Sequence, residues 1–391
     1  MSDKLDIIET TDRFTTGNYS RMPVAFVRGL RCRLWDDNGK SYLDMFAGLA
    51  VSSLGHGHPE LASAIADQAA VLMHTSNIYY HEPGARLAEE LVSSTFAERV
   101  FFCNSGSEAT EAAIKMARRA NPDRSKIISA FKSFHGRTLG ALAATGQANL
   151  QEGFGPMPGG FVHVPYGDLA ATRKAVDERT AAVLVEPIIG EGGVIIPPDG
   201  YLAGLREICD SANIPLVFDE VQTGVGRTGT LYAYQDIGVV PDILASAKGL
   251  AGGLPIGAVL ATDSAARGFV PGSHGSTFGA NPVSCRAALV VLDALENRGV
   301  LENCRCSGEH LGRRLAALRD QRDDVTEARG RGLMWGLELD RPALPVVESA
   351  LENGVILNAT AGNVVRFLPP LIITTDEIDE GIEVLTKALD G

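Results

Sequence analysis

The chain contains 391 residues, of which 45% are hydrophobic and 21% are charged, and its formal net charge at pH 7 is −13. This length allows a large hydrophobic core and predicts two domains. A surface with this excess of negative charge repels phosphate backbones, which argues against nucleic-acid binding, and no run of about 18 uninterrupted apolar residues predicts a membrane span.

The cysteines and the first residues bear on the cellular compartment. Four of the six cysteines stand singly among apolar neighbours, and Cys304 and Cys306 have no matching pair or histidine cluster nearby. This pattern is typical of reduced thiols and gives no support for a metal site. The first segment, MSDKLDIIETTDRF, contains acidic side chains and lacks the apolar core of a signal peptide. We therefore expect a cytoplasmic protein without a bound metal.

The first predicted element is a hairpin, Val24–Leu43, which turns at Asp37-Asn38-Gly39. After it, short apolar runs alternate with helical patterns as far as residue 261. The predicted strands are Val100–Cys103, Lys126–Ala130, Phe161–Pro165, Ala181–Glu186, Pro215–Val221, Ile243–Ala247 and Gly257–Ala261, and the predicted helices are Glu108–Ala120 and Gly200–Ala212. This alternation predicts an α/β fold with a mostly parallel central sheet flanked by helices. A functional site is then expected at the carboxyl ends of the strands.

The pattern changes towards the C-terminus. A long helix, Val283–Asn297, leads into a smaller α+β unit that begins near Gly299. The segments GLMWGLELD and VVRFLPP are predicted strands, and Asp376–Leu389 is a predicted last helix with Thr375 as its N-cap. We expect an N-terminal segment, residues 1–50, that packs with the small domain, a large domain, residues 51–298, and a small C-terminal domain, residues 299–391.

A segment of small residues, CNSGSEAT, joins a predicted strand to a predicted helix. Gly106 exposes the amides of the helix N-terminus, where the macrodipole favours an anion, and Ser105 and Ser107 add hydroxyl donors. The segment is a candidate phosphate site. The same residue types are also typical of ordinary helix capping, and both interpretations stay open on these residues alone.

Another apolar strand ends in two carboxylates, Asp219 and Glu220. A buried carboxylate costs free energy unless it is paired. A pyridinium nitrogen is a suitable partner, because an ionised aspartate keeps that nitrogen protonated and the ring then accepts electrons. A magnesium ion or a helix N-terminus is an alternative partner. We count both residues among the candidate cofactor contacts.

Two further segments carry reactive side chains. Lys248 follows an apolar strand and precedes a glycine-rich loop, so partial burial should lower its pKa and make its amine more nucleophilic. The loop SFHGRT offers the aromatic ring of Phe134, an imidazole and the guanidinium of Arg137, and an arginine fork suits a substrate carboxylate. Taken singly, a lone lysine is more often a solvated surface group, and a charged loop is common.

Two motifs point elsewhere. Gly224-Val225-Gly226-Arg227-Thr228-Gly229 matches the dinucleotide-binding pattern, but the aromatic, turn-rich segment after it does not predict the helix that this reading needs, and carboxylates before it would repel a pyrophosphate. His56 and His58 precede a proline and are more typical of turn residues than of metal ligands. A nucleotide-dependent oxidoreductase is therefore the weaker alternative.

Six motifs in order resemble those of the class III aminotransferases of fold type I, and the resemblance covers nearly the whole chain. They read SGSEATEAAIK, SFHGRT, EPIIGEGG, FDEVQTGVGRTG, SAKGLAGGLPIGA and STFGANP. The resemblance implies a transaminase that uses pyridoxal 5′-phosphate, and the glycine pattern becomes part of the fourth motif. Within the family, LGHGHP, HTSNIYY and FHGRTLGALAATGQ are most similar to the acetylornithine aminotransferase subfamily.

The resemblance assigns the cofactor contacts position by position. It implies that Gly106 and Ser107 hold the cofactor phosphate, Phe134 and Val221 cover the two ring faces, Asp219 pairs with the ring nitrogen, Gln222 binds the ring hydroxyl and Lys248 holds the cofactor covalently. It also implies that Thr277 reaches the phosphate in the neighbouring subunit. A homodimer with shared active sites is therefore expected.

The resemblance assigns the substrate contacts as well. Arg137 would hold the substrate carboxylate, and Ser276 would contact the acetylated substrate. Arg366 would bind the α-carboxylate of glutamate. Glu191 resembles a switch residue that pairs with Arg366 while the amine donor is bound and releases it for glutamate, which lets one pocket take two unlike substrates.

The reaction implied is transfer of the terminal amino group of N2-acetyl-L-ornithine to 2-oxoglutarate, in arginine biosynthesis. It gives N-acetyl-L-glutamate 5-semialdehyde and L-glutamate. Leu49 lies where ornithine aminotransferases usually carry a tyrosine that reads free ornithine, whereas Tyr19 resembles another of their carboxylate contacts. Ornithine, succinylornithine, succinyl-diaminopimelate and 4-aminobutyrate stay open as amine donors.

Overall fold

The computed structural model describes residues 6–391. Its strands are β1 (Phe26–Leu30), β2 (Arg33–Asp36), β3 (Ser41–Asp44), β4 (Arg99–Cys103), β5 (Lys126–Ala130), β6 (Phe161–Val164), β7 (Thr180–Val185), β8 (Leu216–Asp219), β9 (Ile243–Ser246), β10 (Gly257–Ala261), β11 (Val325–Arg331), β12 (Met334–Leu339), β13 (Val355–Ile356), β14 (Asn358–Thr360) and β15 (Val364–Phe367).

The helices lie before, between and after these strands along the chain. They are α1 (Ile7–Phe14), α2 (Ala47–Ala50), α3 (Pro59–Val71), α4 (Glu82–Ser93), α5 (Gly106–Ala120), α6 (Leu139–Ala144), α7 (Leu169–Ala175), α8 (Tyr201–Ala212), α9 (Ala233–Ile237), α10 (Asp263–Ala266), α11 (Pro282–Asn297), α12 (Val300–Gln321), α13 (Leu344–Glu352) and α14 (Thr375–Asp390), with 3-10 turns at Ala148–Leu150 and Lys248–Ala251.

The central sheet has seven strands in the order β4-β10-β9-β8-β7-β5-β6. The pairs from β9 to β6 are parallel, and β10 runs antiparallel to both of its neighbours. Strands β5, β7, β8 and β9 are wholly buried, as expected of parallel strands covered on both faces. The predicted α/β fold with a mostly parallel sheet is confirmed.

Helix α5 shows why the sequence forms this layer. Its buried residues include Ala109, Ala112, Ala113, Met116 and Ala117, which recur at helical spacing along one face. Small side chains on that face let the helix lie close to β9 and β10. The close approach fixes the N-terminus of α5 beside the carboxyl ends of the central strands.

Two four-stranded sheets lie outside the central one, in the orders β1-β2-β3-β13 and β11-β12-β15-β14. The predicted hairpin is instead a three-stranded meander, because the chain also reverses at Arg31 and Cys32 between β1 and β2. The turn at Asp37-Asn38-Gly39 joins β2 to β3 as predicted. Strand β3 pairs in parallel with β13, so an N-terminal strand completes a sheet with a C-terminal one. The domain boundaries stay a prediction.

Two local details differ from the prediction or escaped it. The N-cap of the last helix is Thr374 and not Thr375, because the Thr374 hydroxyl accepts from the N–H of Glu377 and the Glu377 carboxylate accepts from the N–H of Thr374. Residues Ala47–Ala50 all have positive φ and form a left-handed turn. Within residues 6–391, no helix is both long and apolar enough to cross a membrane.

Candidate active site

A cavity of about 200 Å³ opens at the carboxyl ends of β5, β7, β8 and β9, beside the N-terminus of α5. This is the edge of the sheet at which the sequence predicted a site. Its lining residues are Ser105, Gly106, Ser107, Phe134, His135, Gly136, Glu186, Glu191, Asp219, Val221, Gln222 and Lys248.

The N-terminus of α5 forms one wall of this cavity. Ser105 is the N-cap, and its Oγ accepts from the N–H of Glu108 at 3.2 Å. Gly106 and Ser107 belong to the first turn, so their amides have no acceptor further back in the helix. A Cβ on Gly106 would lie 2.7 Å from the Val221 side chain, so only glycine fits here. Ser105 therefore caps the helix, and the amides of Gly106 and Ser107 are left available for an anion.

Asp219 lies at the end of β8 and is 3% exposed. One carboxylate oxygen, Oδ2, is 2.7 Å from Nδ1 of His135, and the other accepts from the N–H of Val221 at 3.1 Å. The buried His135 has no partner for Nε2 among the described residues. A charged acceptor therefore lines the cavity with its orientation fixed by an imidazole.

Glu220 does not line the cavity, so we withdraw it from the proposed cofactor contacts. Successive side chains of a strand point to opposite faces, and Glu220 therefore faces away from Asp219. Its carboxylate accepts from the N–H groups of Ala233 and Tyr234, at 2.6 and 2.9 Å, and from the hydroxyl of Thr223 at 3.0 Å. The residue holds the start of α9. Burial raises its pKa to about 7.

Lys248 begins the 3-10 turn after β9 and has a positive φ of 46°. This left-handed conformation is uncommon for a residue with a side chain. Burial lowers the pKa of the amine, while the negative charge of Glu191 acts in the opposite direction. The predicted effect of the apolar surroundings is present, and it leaves a larger share of the amine unprotonated and nucleophilic.

The loop after β5 brings Phe134 into the cavity and leaves Arg137 at its rim. The Arg137 guanidinium lies 5.5 Å from the centroid of the Phe134 ring, and the side chain is exposed. The N–H of Arg137 donates to Oγ of Ser107 at 3.0 Å, which ties this loop to the N-terminus of α5. An exposed guanidinium at the mouth is free to receive a carboxylate.

Glu191, which lines the cavity, forms an ion pair with Arg366. Nη1 of Arg366 donates to Oε1 of Glu191 at 2.6 Å and to Oε1 of Gln222 at 3.3 Å. Nε2 of Gln222 donates to Oε1 of Glu191 at 3.3 Å. Burial alone would raise the pKa of Glu191, but the Arg366 guanidinium keeps it below its usual value. The carboxylate is therefore ionised and paired.

Glu186 is a site residue that the sequence reasoning missed. Its Oε2 accepts from the N–H of Phe134 and its Oε1 from the N–H of Gly190, both at 3.0 Å. Burial raises its pKa to about 7, although the neighbouring His135 acts to lower it. The signal was present, because Glu186 follows the buried β7 as Asp219 ends the buried β8.

Ser276 and Thr277 do not line this cavity. Oγ of Ser276 accepts from Nδ2 of Asn104 at 3.1 Å and from the N–H of Gly279 at 3.0 Å. Thr277 is exposed, as expected for a residue that serves another subunit, but its role stays a prediction.

The two motifs that suggested a dinucleotide site or metal ligands have structural roles. No helix opens at residues 224–229, which form turns, so the dinucleotide reading is wrong. Nδ1 of His58 caps α3, and Nε2 of His56 lies 2.8 Å from the buried Asp44 carboxylate. Within residues 6–391, no group of three or more potential ligands is arranged to hold a metal ion.

Comparison with known proteins agrees with this geometry. A family model described as aminotransferase class-III matches residues 14–389. The chain belongs to the class III aminotransferases. Among the relatives of this aminotransferase is the acetylornithine aminotransferase of Methanothermobacter thermautotrophicus, 48% identical with 98% of each chain covered. Another is that of Aquifex aeolicus, 47% identical, with 96% of this chain and 100% of the relative covered.

Solved structures give the same family. The ornithine aminotransferase of Toxoplasma gondii superposes with a TM-score of 0.94 at 35% identity, covering 97% of this chain and 93% of that one. The acetylornithine aminotransferase of Elizabethkingia anophelis gives a TM-score of 0.89 at 33% identity, with 98% of each chain covered.

The cofactor of this class III aminotransferase is pyridoxal 5′-phosphate, and the residues present suit it. Asp219 is a buried carboxylate facing a cavity, Gly106 leaves room at a helix N-terminus, and Lys248 supplies a partly buried amine. An aromatic ring, Phe134, and an aliphatic side chain, Val221, also line the space.

Proposed function

We propose that this enzyme transfers the terminal amino group of N2-acetyl-L-ornithine to 2-oxoglutarate, giving N-acetyl-L-glutamate 5-semialdehyde and L-glutamate in arginine biosynthesis. The relatives named as acetylornithine aminotransferases, 44–48% identical over at least 94% of this chain, carry this proposal. The Glu191–Arg366 ion pair supports it, because a pocket that must take both an amine and a dicarboxylate needs a cation that can be masked and unmasked.

Each side chain has a task that follows from its position. When bound, the cofactor supplies an electron sink for the carbon that loses its proton. Lys248 holds the cofactor and then moves that proton, for which a partly buried amine with a lowered pKa is suited. Asp219, oriented by His135, keeps the ring nitrogen protonated. Gly106 and Ser107 bind the phosphate through helix N-terminal amides.

The two substrates use different arginines. Arg137 at the rim binds the carboxylate of N-acetylornithine, so the terminal amine reaches Lys248 while Glu191 covers Arg366. With 2-oxoglutarate or glutamate, the Glu191 side chain turns away and Arg366 binds the α-carboxylate. Glu191 is suited to this movement because its side chain is 27% exposed, whereas that of Arg366 is 1% exposed.

The principal alternative donor is free ornithine, favoured by the structural likeness to an ornithine aminotransferase. Two positions bear on it. Leu49 offers no hydroxyl where ornithine aminotransferases usually carry a tyrosine, and Tyr19 is well exposed; neither residue is among those that line the cavity. We therefore favour an acylated donor.

A donor panel tests this choice. Purified enzyme loaded with pyridoxal phosphate is given 2-oxoglutarate and N-acetylornithine, ornithine, N-succinylornithine, succinyl-diaminopimelate or 4-aminobutyrate, and glutamate formation is measured. We expect the largest kcat/KM for N-acetylornithine. A larger kcat/KM for any other donor would identify that donor as the substrate, and the assignment to the family would be unchanged.

We also propose that the enzyme is a homodimer with shared active sites. Asn77 donates to the carbonyl groups of Ser276 and Gly279, both at 2.9 Å, so the segment before Tyr80 lies beside Thr277. The apolar side chains here are exposed: Ile78, Tyr79, Tyr80 and Phe278. A contiguous apolar surface of this kind is typical of a protein interface.

Mixing two inactive variants tests the shared site. Lys248→Ala removes the amine from its own site, and Thr277→Ala removes the phosphate contact from the partner's site. At limiting cofactor, the mixture should recover activity that neither variant has, because one site of a mixed dimer is intact. Additive activities would contradict a shared site.

We propose a cytoplasmic location because of the state of the cysteines. All six lie within the described residues as free thiols, and five of them are buried.

A further inference from the structure

The Arg366 guanidinium has a neutral partner that does not depend on Glu191. Strand β14 pairs antiparallel with β15, and Asn358 lies directly opposite Arg366. Side chains at directly opposed positions of an antiparallel pair share one face of the sheet. Oδ1 of Asn358 accepts from Nε of Arg366 at 3.1 Å and from Nη2 at 2.7 Å.

These two hydrogen bonds occupy a definite edge of the guanidinium. They take the edge formed by Nε and Nη2, and Glu191 contacts Nη1. When Glu191 turns away, the edge formed by Nη1 and Nη2 is left for a carboxylate, and that is the geometry of bidentate recognition. Asn358 carries no charge, so it orients the cation without competing with the substrate.

The same short strand also restrains Glu191. Thr360, two residues after Asn358 and on the same face of β14, donates its hydroxyl to the carbonyl of Glu191 at 2.5 Å. Arg329 on β11 donates to the carbonyl groups of Gly193 at 2.7 Å and Val194 at 3.0 Å. The backbone of the loop is held at three carbonyls, so the Glu191 side chain can move without the loop.

We propose that Asn358 is a positioning residue for the α-carboxylate of glutamate and 2-oxoglutarate, acting in one half-reaction and not in the other. In the amine-donor half-reaction, Glu191 holds Arg366 and Asn358 adds little. In the glutamate half-reaction, Asn358 holds the edge of the guanidinium formed by Nε and Nη2, and Gln222 is the remaining neutral partner at Nη1. This inference rests on the proposed function only in assigning glutamate to Arg366.

Single-turnover absorbance measures the two half-reactions separately on the cofactor-loaded enzyme. The visible cofactor band is followed after mixing with glutamate, or with N-acetylornithine, over a range of concentrations. For Asn358→Ala we expect the apparent dissociation constant of glutamate to rise about tenfold, the loss typical of hydrogen bonds to a charged group. That of N-acetylornithine should change less than about twofold.

Asn358→Asp is the second variant, because it keeps the shape and both acceptor contacts but adds a charge that competes with the substrate. It should also weaken glutamate binding relative to N-acetylornithine. Asn353→Ala is the matched control, since Asn353 is an exposed asparagine at the end of α13 and its amide donates to the Ser349 carbonyl at 2.8 Å, away from Arg366. It should leave both constants unchanged.

The outcomes distinguish the positioning role of Asn358 from the choice of amine donor. Equal losses with both substrates, or an unchanged constant for glutamate in both Asn358 variants, would overturn the positioning role. A wild-type enzyme whose band responds to glutamate but not to N-acetylornithine would overturn the proposed donor instead. The Asn358 comparison would then be made with the donor that does respond.

Discussion

Replacing Glu191 by glutamine tests the masking of Arg366. The variant keeps the size of the side chain and an oxygen for Nη1, but it removes the only carboxylate that contacts the Arg366 guanidinium among the described residues. Glu191 must turn away from Arg366 before the guanidinium can bind a substrate carboxylate. The apparent dissociation constant of glutamate is therefore its intrinsic value divided by the fraction of enzyme in which Arg366 is free.

The size of the effect follows from the contact. A hydrogen bond to a charged group contributes about 1.5–3 kcal/mol. In the variant the Arg366 guanidinium keeps its charge and the glutamine is neutral, so only part of this contribution is lost. Weakening the pairing by about 1.4 kcal/mol raises the fraction of enzyme in which Arg366 is free about tenfold. The apparent dissociation constant of glutamate should therefore fall by about that factor. N-Acetylornithine then meets an unmasked cation near its own amine, and its constant should rise about tenfold. The preference between the two substrates should change about a hundredfold.

The assay is the single-turnover bleaching of the visible band with each substrate. Glu302→Gln is a matched control, because it breaks an exposed Glu–Arg pair with Arg305 on α12, outside the cavity. The control should behave as wild type. If Glu191→Gln shifted both constants in the same direction, or neither, Glu191 would not mask Arg366.

Three further predictions concern the reacting amine, the withdrawn contact and pH. Lys248→Ala should lose turnover, because among the described residues Lys248 is the one lysine that lines the cavity; a rate within about tenfold of wild type would contradict its role. Glu220→Gln should lower the free energy of unfolding by about 1–3 kcal/mol, because Ala233 and Tyr234 donate to different carboxylate oxygens, an amide has only one oxygen, and one buried donor is left unpaired. Its cofactor band should be unchanged, and a lost band with normal thermal stability would restore Glu220 as a cofactor contact. The carboxyl group of Glu186 has its usual pKa of 4.5 in the unfolded chain and a pKa of about 7 in the folded protein. Between these values the folded state binds more protons than the unfolded state, so the free energy of unfolding falls as pH rises. Glu186→Gln should remove up to about 3 kcal/mol of this decline in the cofactor-free protein between pH 5 and 7.5, and thermal melts with parallel pH profiles would show that Glu186 does not titrate there.

The sequence predicted the parts of the fold that depend on local periodicity. The buried strands Lys126–Ala130 and Gly257–Ala261 have the predicted bounds, and the other central strands differ by a residue or two at their ends. The antiparallel direction of β10 was not predicted, because an apolar run of five residues carries no direction. The left-handed turn Ala47–Ala50 was also missed, since only one of its residues is a glycine.

Some residues of the candidate site could likewise be predicted from the sequence, and others could not. Residues adjacent to strand ends, such as Asp219 and Lys248, could be found from the sequence because the ends of parallel strands meet at one edge. Alternation along a strand could also have excluded Glu220, since two consecutive carboxylates cannot face one cavity. Asn358 could not be found, because its contact with Arg366 depends on a non-local pairing between β14 and β15.

The most direct test of the account is the absorbance spectrum of the purified enzyme with pyridoxal phosphate, before and after N-acetylornithine. We expect a visible band that bleaches with N-acetylornithine and returns with 2-oxoglutarate. The Lys248→Ala variant should not form this band. A wild-type protein that shows no visible band, even with excess pyridoxal phosphate, would contradict the assignment of Lys248 and of the cavity around it.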